Sequence, residues 1–343
     1  MEKKLKVLVL AGGNSEERPV SLVTGKAVSS ALKRLGYEID VIDTVSGQSL
    51  IDEKGRFLLE TDTTADSRLA LKSADTGALT EALNRPDYRD LDLVFIALHG
   101  GSGEDGTIQA LLDLAGIKYT GSGMLASALA MNKALAKRLV AAEGIPTPDW
   151  LLFRVTGGTV PDNTPAQIKA KFACPIIIKP NNSGSTFGLT LVKDEGGIGP
   201  ALERAAAVSP EILVEQYVKG REITCAVLDG ESLPLVEIVP TNELYDYQCK
   251  YTKGKSEYIC PAEIPGKTGV MIRDYAHTAY NIINCAGLTR VDFILDTEMR
   301  PFFLEVNTIP GLTELSLAPM AARQVGIDFD GLIRKLCDAA LKG

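Results

Sequence analysis

Histidine is scarce in this 343-residue chain: only His99 and His277 occur, too few to build a zinc site by themselves. Six cysteines are present, at positions 174, 225, 249, 260, 285 and 337, but none form a CxxC pair or a metal-binding spacing. They read as reduced thiols of a cytoplasmic protein, most of them small core residues. Positive charge is in the minority, with 36 Lys and Arg against 44 Asp and Glu, a formal net charge of −8. That balance argues against a nucleic-acid or acidic-membrane partner, while leaving room for a local basic pocket. No apolar run approaches the roughly 20 residues of a membrane span. The opening MEKKLKVLVLAGG is charged and then apolar, yet its apolar stretch is too short for a signal peptide and runs into a glycine turn. No internal repeat is visible.

What is present is an ordinary globular composition, 45% hydrophobic and 23% charged, at a length that suits two or three units. Residues 5–11 predict a strand, Pro19 to Leu35 a helix with proline in its first turn, and YEIDVID the next strand. This βαβ opening implies a parallel sheet. Residues 45–88 are polar and poorly periodic, an excursion of loop, hairpin and helix. A buried strand (92–100), a glycine-capped helix (107–116) and a short strand in IKYTG follow. Then comes an Ala-rich helical stretch in which Asn132 can restart the helix as an N-cap. Beyond residue 150, PIIIKP, LTLVKD and ILVEQYV predict strands around a helix at 201–208. REITCAVLDG and LPLVEIVP are further strands, 241–260 is turn-rich, and helices are expected near 268–286 and at the C-terminal end of the sequence.

Two glycine motifs invite a nucleotide reading and fail it. GSGEDG (101–106) matches G-x-G-x-x-G, but no Asp or Glu lies between Asp113 and Glu143 to meet a ribose, and the motif does not follow the first strand. A dehydrogenase is therefore a distant reading. Pro265-Gly266-Lys267-Thr268 mimics the end of a phosphate-binding P-loop, but position 261 is Pro where that loop needs Gly.

The chemistry concentrates elsewhere. In FFLEVNTIPGLT (302–313), Glu305 and Asn307 are two apart on a predicted strand and share a face. Asp292, in the β-like run TRVDFILD, would join them across a hairpin turning at 297–300. Three oxygen-bearing side chains at one sheet edge suit Mg²⁺; the same residues would also serve as a polar strand end facing water. Lys179 ends a buried strand before KPNNSGSTFG (179–188), a loop of small residues with glycine hinges whose N–H groups could close over phosphates. Lys133 follows the Ala-rich helix, and Lys250 lies in YDYQCKY. Each lysine alone would pass as a solvated surface residue.

In order along the chain, GGNSEERPVS, ALHGGSGEDGTIQ, YTGSG…MNK, IIKPNNSGSTFG, ILVEQYVKGREIT, YDYQCKYTKGKSEYICPA, RVDFILD and FLEVNTIPGLTELSLAP closely resemble the D-alanine–D-alanine ligase family of ATP-grasp enzymes. The resemblance implies an α/β, three-domain ATP-grasp architecture: a parallel-sheet substrate domain (1–131), a central ATP-grasp subdomain (132–213) and a C-terminal subdomain (214–343) with the metal site and a lid loop at 241–260. It also implies a two-step reaction. One D-alanine carboxylate takes the γ-phosphate of ATP to become an acyl phosphate, and the amine of a second D-alanine displaces phosphate through a tetrahedral oxyanion. By motif position, Asp292, Glu305 and Asn307 are similar to the ligands of two Mg²⁺ (or Mn²⁺) ions, with Glu305 bridging them. Lys133, Lys179 and Lys250 resemble phosphate clamps, Glu215, Gln216, Tyr217 and Val218 the adenine-reading strand, and Glu222 the ribose acceptor. Glu17 and His99 resemble first-substrate contacts. Arg290 and the Gly311 N–H resemble the oxyanion hole, Ser316 and Leu317 the second carboxylate pocket. Ser185 and Tyr251 resemble the bridge that, with Glu17, closes the lid and excludes water, which matters because an acyl phosphate hydrolyses.

The departures are modest. Pro19 stands where an acidic residue is usual, Asn132 where Asp is common, Ser183 where Glu is frequent and Phe187 where a smaller aliphatic is usual. Leu315, beside Ser316, bears on the second pocket. The resemblance further implies peptidoglycan precursor synthesis, a homodimer and a cytoplasmic setting. A sister ligase that places D-serine, D-lactate or another residue second remains an alternative, as does a non-catalytic nucleotide-binding protein on this fold.

Overall fold

The structure is a computed structural model that describes residues 4–58, 76–157, 159–184, 187–240 and 256–342. Its first unit begins with β1 (Lys6–Ala11), α1 (Arg18–Arg34) and β2 (Glu38–Asp43), followed by α2 (Thr76–Leu83), β3 (Leu93–Ile96) and α3 (Thr107–Ala115). The strands are parallel in the order β2-β1-β3. β3 is buried along its whole length, as a strand covered on both faces should be. The segments that follow β1 and β3, residues 12–17 and 97–106, leave the carboxyl ends of neighbouring strands, where α/β folds place ligands. IKYTG, expected to be a strand, contributes only a single bridge, Val94 to Tyr119.

The Ala-rich stretch forms α4 (Met124–Met131) and α5 (Lys133–Ala142). Asn132 restarts the helix as expected: its side chain accepts from Leu135 N. Next come β4 (Trp150–Arg154), α6 (Thr164–Lys171), β5 (Ile176–Pro180), β6 (Thr190–Val192), α7 (Ile198–Ala206) and β7 (Glu211–Gln216). These strands make an antiparallel sheet in the order β4-β7-β5-β6, closed by a core that includes Ile168, Ala201 and Leu202. β4 carries no alternation that marks it in the sequence; its place beside β7 is set by pairing across 60 residues.

The remainder contains β8 (Gly220–Leu228), β9 (Glu231–Ser232), β10 (Val236–Pro240), β11 (Ser256–Ile259), α8 (Gly266–Ile282), β12 (Leu288–Asp296), β13 (Pro301–Asn307), α9 (Leu317–Gln324) and α10 (Phe329–Lys342). The sheet order is β11-β10-β8-β12-β13, with β9 beside β8. Alternation divides β12 into two faces. Val291, Phe293 and Leu295 enter a core with α4, α5 and α8, where Phe293 and Phe303 meet edge to face at 6.2 Å. Arg290, Asp292 and Ile294 look the other way.

Packing does not follow the expected boundaries. The 213/214 limit falls inside β7, whose pairing with β4 and β5 carries the central sheet on to Gln216. α5 contributes Ala136 and Val140 to the core under the C-terminal sheet rather than to the central one. α10 returns to the first unit: Leu332, Ile333 and Leu336 share a core with Val7, Val9 and Leu32, and Arg34 Nε donates to Asp330 Oδ2 at 2.8 Å.

Candidate active site

A cleft of about 160 Å³ opens between the central and C-terminal sheets. Its metal wall is the β12–β13 hairpin. Asp292 pairs directly with Glu305, and Arg290 with Asn307, so all four side chains share the face turned away from the core. Leu304 is an extra residue in the ladder, since the next pair is Phe293 with Phe303. This bulge lets Leu304 and Glu305, adjacent in sequence, both line the cleft. Across β8, Thr224 lies opposite Asp292 and Glu222 opposite Ile294, which brings Glu222 to the same wall.

Asp292 is tightly held. Arg290 donates to it through Nε and Nη2, both at 2.9 Å, and Thr224 Oγ1 donates at 2.6 Å. Asn307 does not line the cleft; its Oδ1 accepts from Ile309 N at 3.0 Å and shapes the turn after the strand. Among the described residues no group of three His, Cys, Asp or Glu is arranged for a metal. Two cleft-lining carboxylates on opposed strand positions plus one amide oxygen nevertheless form a hard-oxygen donor set that fits Mg²⁺. Arg290 and a cation would then share Asp292.

The phosphate wall comes from α5 and from the loop after β5. Lys133 Nζ donates to Ser183 O at 2.7 Å and lies 3.2 Å from Glu305 Oε2, linking this loop to the hairpin. Fully buried Asn181 fixes the loop to the helix: its Oδ1 accepts from Ala134 N and its Nδ2 donates to Asn132 Oδ1, both at 2.9 Å. Lys179 Nζ stands 2.7 Å from Glu215 Oε2. Gln216, Tyr217 and Val218 continue past Glu215 along the cleft. Thus Lys133, Lys179, Glu215, Gln216, Tyr217, Val218, Glu222, Asp292 and Glu305 are brought to one cavity. Lys250, Ser185 and Tyr251 lie outside the described residues.

One participant went unread in the sequence. Lys137, one turn beyond Lys133, has a fully buried side chain 2.7 Å from Glu215 Oε1. Burial pulls its ammonium down to about 8, against the attraction of Glu215. Burial alone would raise the Glu215 carboxyl, but Lys137 and Lys179 together hold it below the usual carboxylate range. The only available signal was the i, i+4 spacing of Lys133 and Lys137, which a solvated helix face would share.

A second cluster lies at the strand ends of the first unit. Glu17, the residue before α1, is buried; a Cβ placed on Gly184 would come within 2.5 Å of its Oε2, and one on Gly100 within 2.6 Å. Glu17 therefore reaches from the first unit to the loop after β5. His99, just after β3, is also buried. Its Nδ1 lies 3.1 Å from Ile309 O and its Nε2 2.8 Å from Thr24 Oγ1. A carbonyl can only accept, so Nδ1 carries a proton, and both ring nitrogens have protein partners. Glu104 Oε1 adds a contact at 3.5 Å. Burial pushes the Glu104 carboxyl up, the neighbouring Glu17 charge adds to the rise, and His99 opposes it.

Gly311 and Ser316 adjoin: a Cβ on Gly311 would meet Ser316 Oγ at 3.1 Å, while that oxygen accepts from Thr313 N at 3.1 Å. Leu317 buries its side chain in the core shared with the first unit, so only its backbone N–H, in the first turn of α9, is suited to a carboxylate.

Profiles described as D-ala D-ala ligase N-terminus and D-ala D-ala ligase C-terminus match residues 6–122 and 139–338. The chain belongs to the D-alanine–D-alanine ligase family. A D-alanine–D-alanine ligase of Syntrophotalea carbinolica is 41% identical over 338 residues, covering 98% of this chain and 96% of the relative. Among solved structures, D-alanine–D-alanine ligase from Bacillus anthracis complexed with ATP aligns with a TM-score of 0.77 at 30% identity, covering 99% of this chain and 98% of that one. VanG D-Ala:D-Ser ligase from Enterococcus faecalis gives 0.76 at 31% identity, covering 98% and 100%. The three-unit α/β architecture is thus the ATP-grasp fold of this ligase family, as the motif order implied. Among the described residues no helix is long and apolar enough to cross a membrane.

Proposed function

We propose that this chain is an ATP-dependent ligase that joins two D-alanines into D-alanyl-D-alanine through an acyl phosphate, supplying a peptidoglycan precursor in the cytoplasm. The observation that carries the reading is the cleft in which Lys133, Lys179 and the Asp292–Glu305 pair face one another. Phosphoryl transfer needs charge neutralisation and positioning more than covalent help from the protein. Lys133 and Lys179, with Lys250, hold the phosphates, while the backbone from Glu215 to Val218 reads adenine and Glu222 takes the ribose. Asp292, Glu305 and Asn307 would hold Mg²⁺ (or Mn²⁺), two ions in all, which neutralise the phosphates when bound.

In this reading Glu17 receives the first substrate's ammonium, and His99 acts at one remove by fixing the strand end beside it. Arg290 and the Gly311 N–H meet the oxyanion. Ser316 and the Leu317 N–H take the second carboxylate. Ser185 and Tyr251 close with Glu17 over the reaction, and the Tyr251 phenol bears on whether the second site takes an amino or a hydroxy acid. By their packing, the working units are the β2-β1-β3 sheet with α10, the β4-β7-β5-β6 sheet, and the C-terminal sheet with α4, α5 and α8. The family resemblance adds a homodimer, which sedimentation would test.

The deciding experiment is a mass-spectrometric screen of D-amino acid pairs with ATP and Mg²⁺, alongside phosphate release. D-alanyl-D-alanine as the main product is expected. A dominant D-alanyl-D-serine or depsipeptide would make the chain a sister ligase, and no D-alanine-dependent phosphate release would leave only a nucleotide-binding protein.

Gly184 offers a local check on Glu17. Gly184 has no positive φ, so alanine suits its backbone, but the new Cβ would fall 2.5 Å from Glu17 Oε2 and displace the carboxylate. Gly184→Ala is expected to leave the melting temperature unchanged and raise the D-alanine KM about tenfold or more, since misplacements near 1 Å carry large kinetic costs. An unchanged D-alanine KM would remove Glu17 from the substrate site.

A further inference from the structure

Glu215 is shared by two lysines that differ in access. Lys179 lines the cleft; Lys137 does not, and its side chain is 0% exposed. Lys137 Nζ lies 2.7 Å from Oε1 and Lys179 Nζ lies 2.7 Å from Oε2. The contact of Lys137 with Oε1 is an ion pair by distance, because Oε1 receives no aligned hydrogen bond. The aligned donation of Lys137 goes instead to Thr147 Oγ1 at 2.6 Å, and Thr147 Oγ1 in turn donates to Phe303 O at 2.8 Å. Phe303 is two residues before Glu305 on β13. The indole of Trp150, which pairs with Glu215 across β4 and β7, lies under the ammonium at 5.7 Å.

We infer that Lys137 is a positioning residue for nucleotide phosphates, acting through Glu215 to keep Lys179 available to them. The inference rests on the ATP reading of the cleft. Its argument is one of charge. A lone Glu215 facing a lone Lys179 in a site this buried would form a closed, neutral pair, leaving the lysine little attraction for phosphate. With Lys137 on the other carboxylate oxygen, the trio carries two positive charges against one negative. The surplus is expressed at Lys179, the one of the two lysines that reaches the cleft. The Thr147 link ties the same trio to β13, so the two walls of the site are registered by one buried ammonium. Among the described residues Glu215 from β7, Lys179 from β5 and Glu305 from β13 act on it, and the lowered affinity of Lys137 for its proton agrees with this enclosure.

The test is calorimetric binding of ATP with Mg²⁺, and separately of adenosine, to the full chain. Lys137→Met keeps the length and apolar stem of the side chain but removes the charge. ATP affinity should fall about tenfold or more, the scale for losing a buried charge partner, while adenosine affinity stays within about twofold. Adding Glu215→Gln to Lys137→Met removes the opposing carboxylate and should restore most of the ATP affinity. A role confined to packing predicts the opposite: ATP and adenosine weakened together, with no recovery in the double variant. Should Lys137→Met fail to fold, Thr147→Val serves, with a loss of about threefold for ATP and none for adenosine. Equal losses for the two ligands, or none, overturn the inference. Wild-type chain that binds no ATP would instead sink the nucleotide reading itself.

Discussion

Glu305→Gln is expected to leave a folded protein whose D-alanine-dependent phosphate release falls by about three orders of magnitude. The side chain points into the cleft, opposite Asp292 and 3.2 Å from Lys133 Nζ, whereas the core contacts of β13 are made by Phe303 and Val306. Glutamine keeps shape and loses charge. The melting temperature should therefore change little, because Lys133 keeps its hydrogen bond to Ser183 O and the glutamine amide oxygen can still face it. The reaction should suffer far more, because a cation held at this position contributes several kcal/mol of charge stabilisation, and each 1.36 kcal/mol is a factor of ten in rate. Steady-state phosphate release at saturating Mg²⁺, with thermal denaturation alongside, decides the matter. A variant that turns over near the wild-type rate would remove Glu305 from the metal site.

Arg290→Lys should lower kcat about a hundredfold and barely move the ATP KM. Two roles converge on this guanidinium. It grips both oxygens of Asp292 at 2.9 Å, and in the proposed function it meets the oxyanion of the second step. Lysine keeps the charge but loses the planar fork, so it can serve one partner at a time. Removing one donor to a developing oxyanion typically costs about 10²–10³ in kcat, and an interaction made only in the transition state leaves ground-state binding intact. The two roles separate under Mg²⁺ titration. If Arg290 merely holds Asp292 in place, raising Mg²⁺ should rescue the variant; if it stabilises the oxyanion, the deficit should persist at saturation. An effect confined to ATP affinity would make Arg290 a nucleotide contact instead.

Much of the site was legible in the chain because its residues are local neighbours. Glu305 and Asn307 share a face by strand alternation alone, and the turn after Asp296 brings Asp292 opposite Glu305. The Asn132 cap, the glycine end of α3 and the parallel opening could likewise be read from short windows. The alternation puts Asn307 on the metal side, and what it does not give is the further engagement of its Oδ1 by Ile309 N, which the turn geometry supplies. His99 shows what a short window leaves out. A histidine at a strand's carboxyl end reads as a ligand contact, and its engagement by Ile309 O spans 210 residues. Lys137 is the converse: its sequence setting is that of a surface lysine, and burial against Glu215 gives it a role.

By itself the sequence determined many of the strands and helices, though not β4 or α6, together with the hairpin that carries the two carboxylates, the loop of small residues after Lys179 and, through its motif order, the family to which the chain belongs. The elements follow from periodicity, capping and turn chemistry, which act over a few residues; the family follows from the order of the resembling motifs along the whole chain. Only the tertiary structure decided that the whole of β7 belongs to the central sheet, that α5 packs beneath the C-terminal sheet, that α10 closes on the first unit, and that Glu215 is divided between Lys137 and Lys179. Each of these depends on what lies across a sheet or a core, tens to hundreds of residues away. The burial that turns a charged side chain from a solvated group into a structural one is supplied by those distant neighbours.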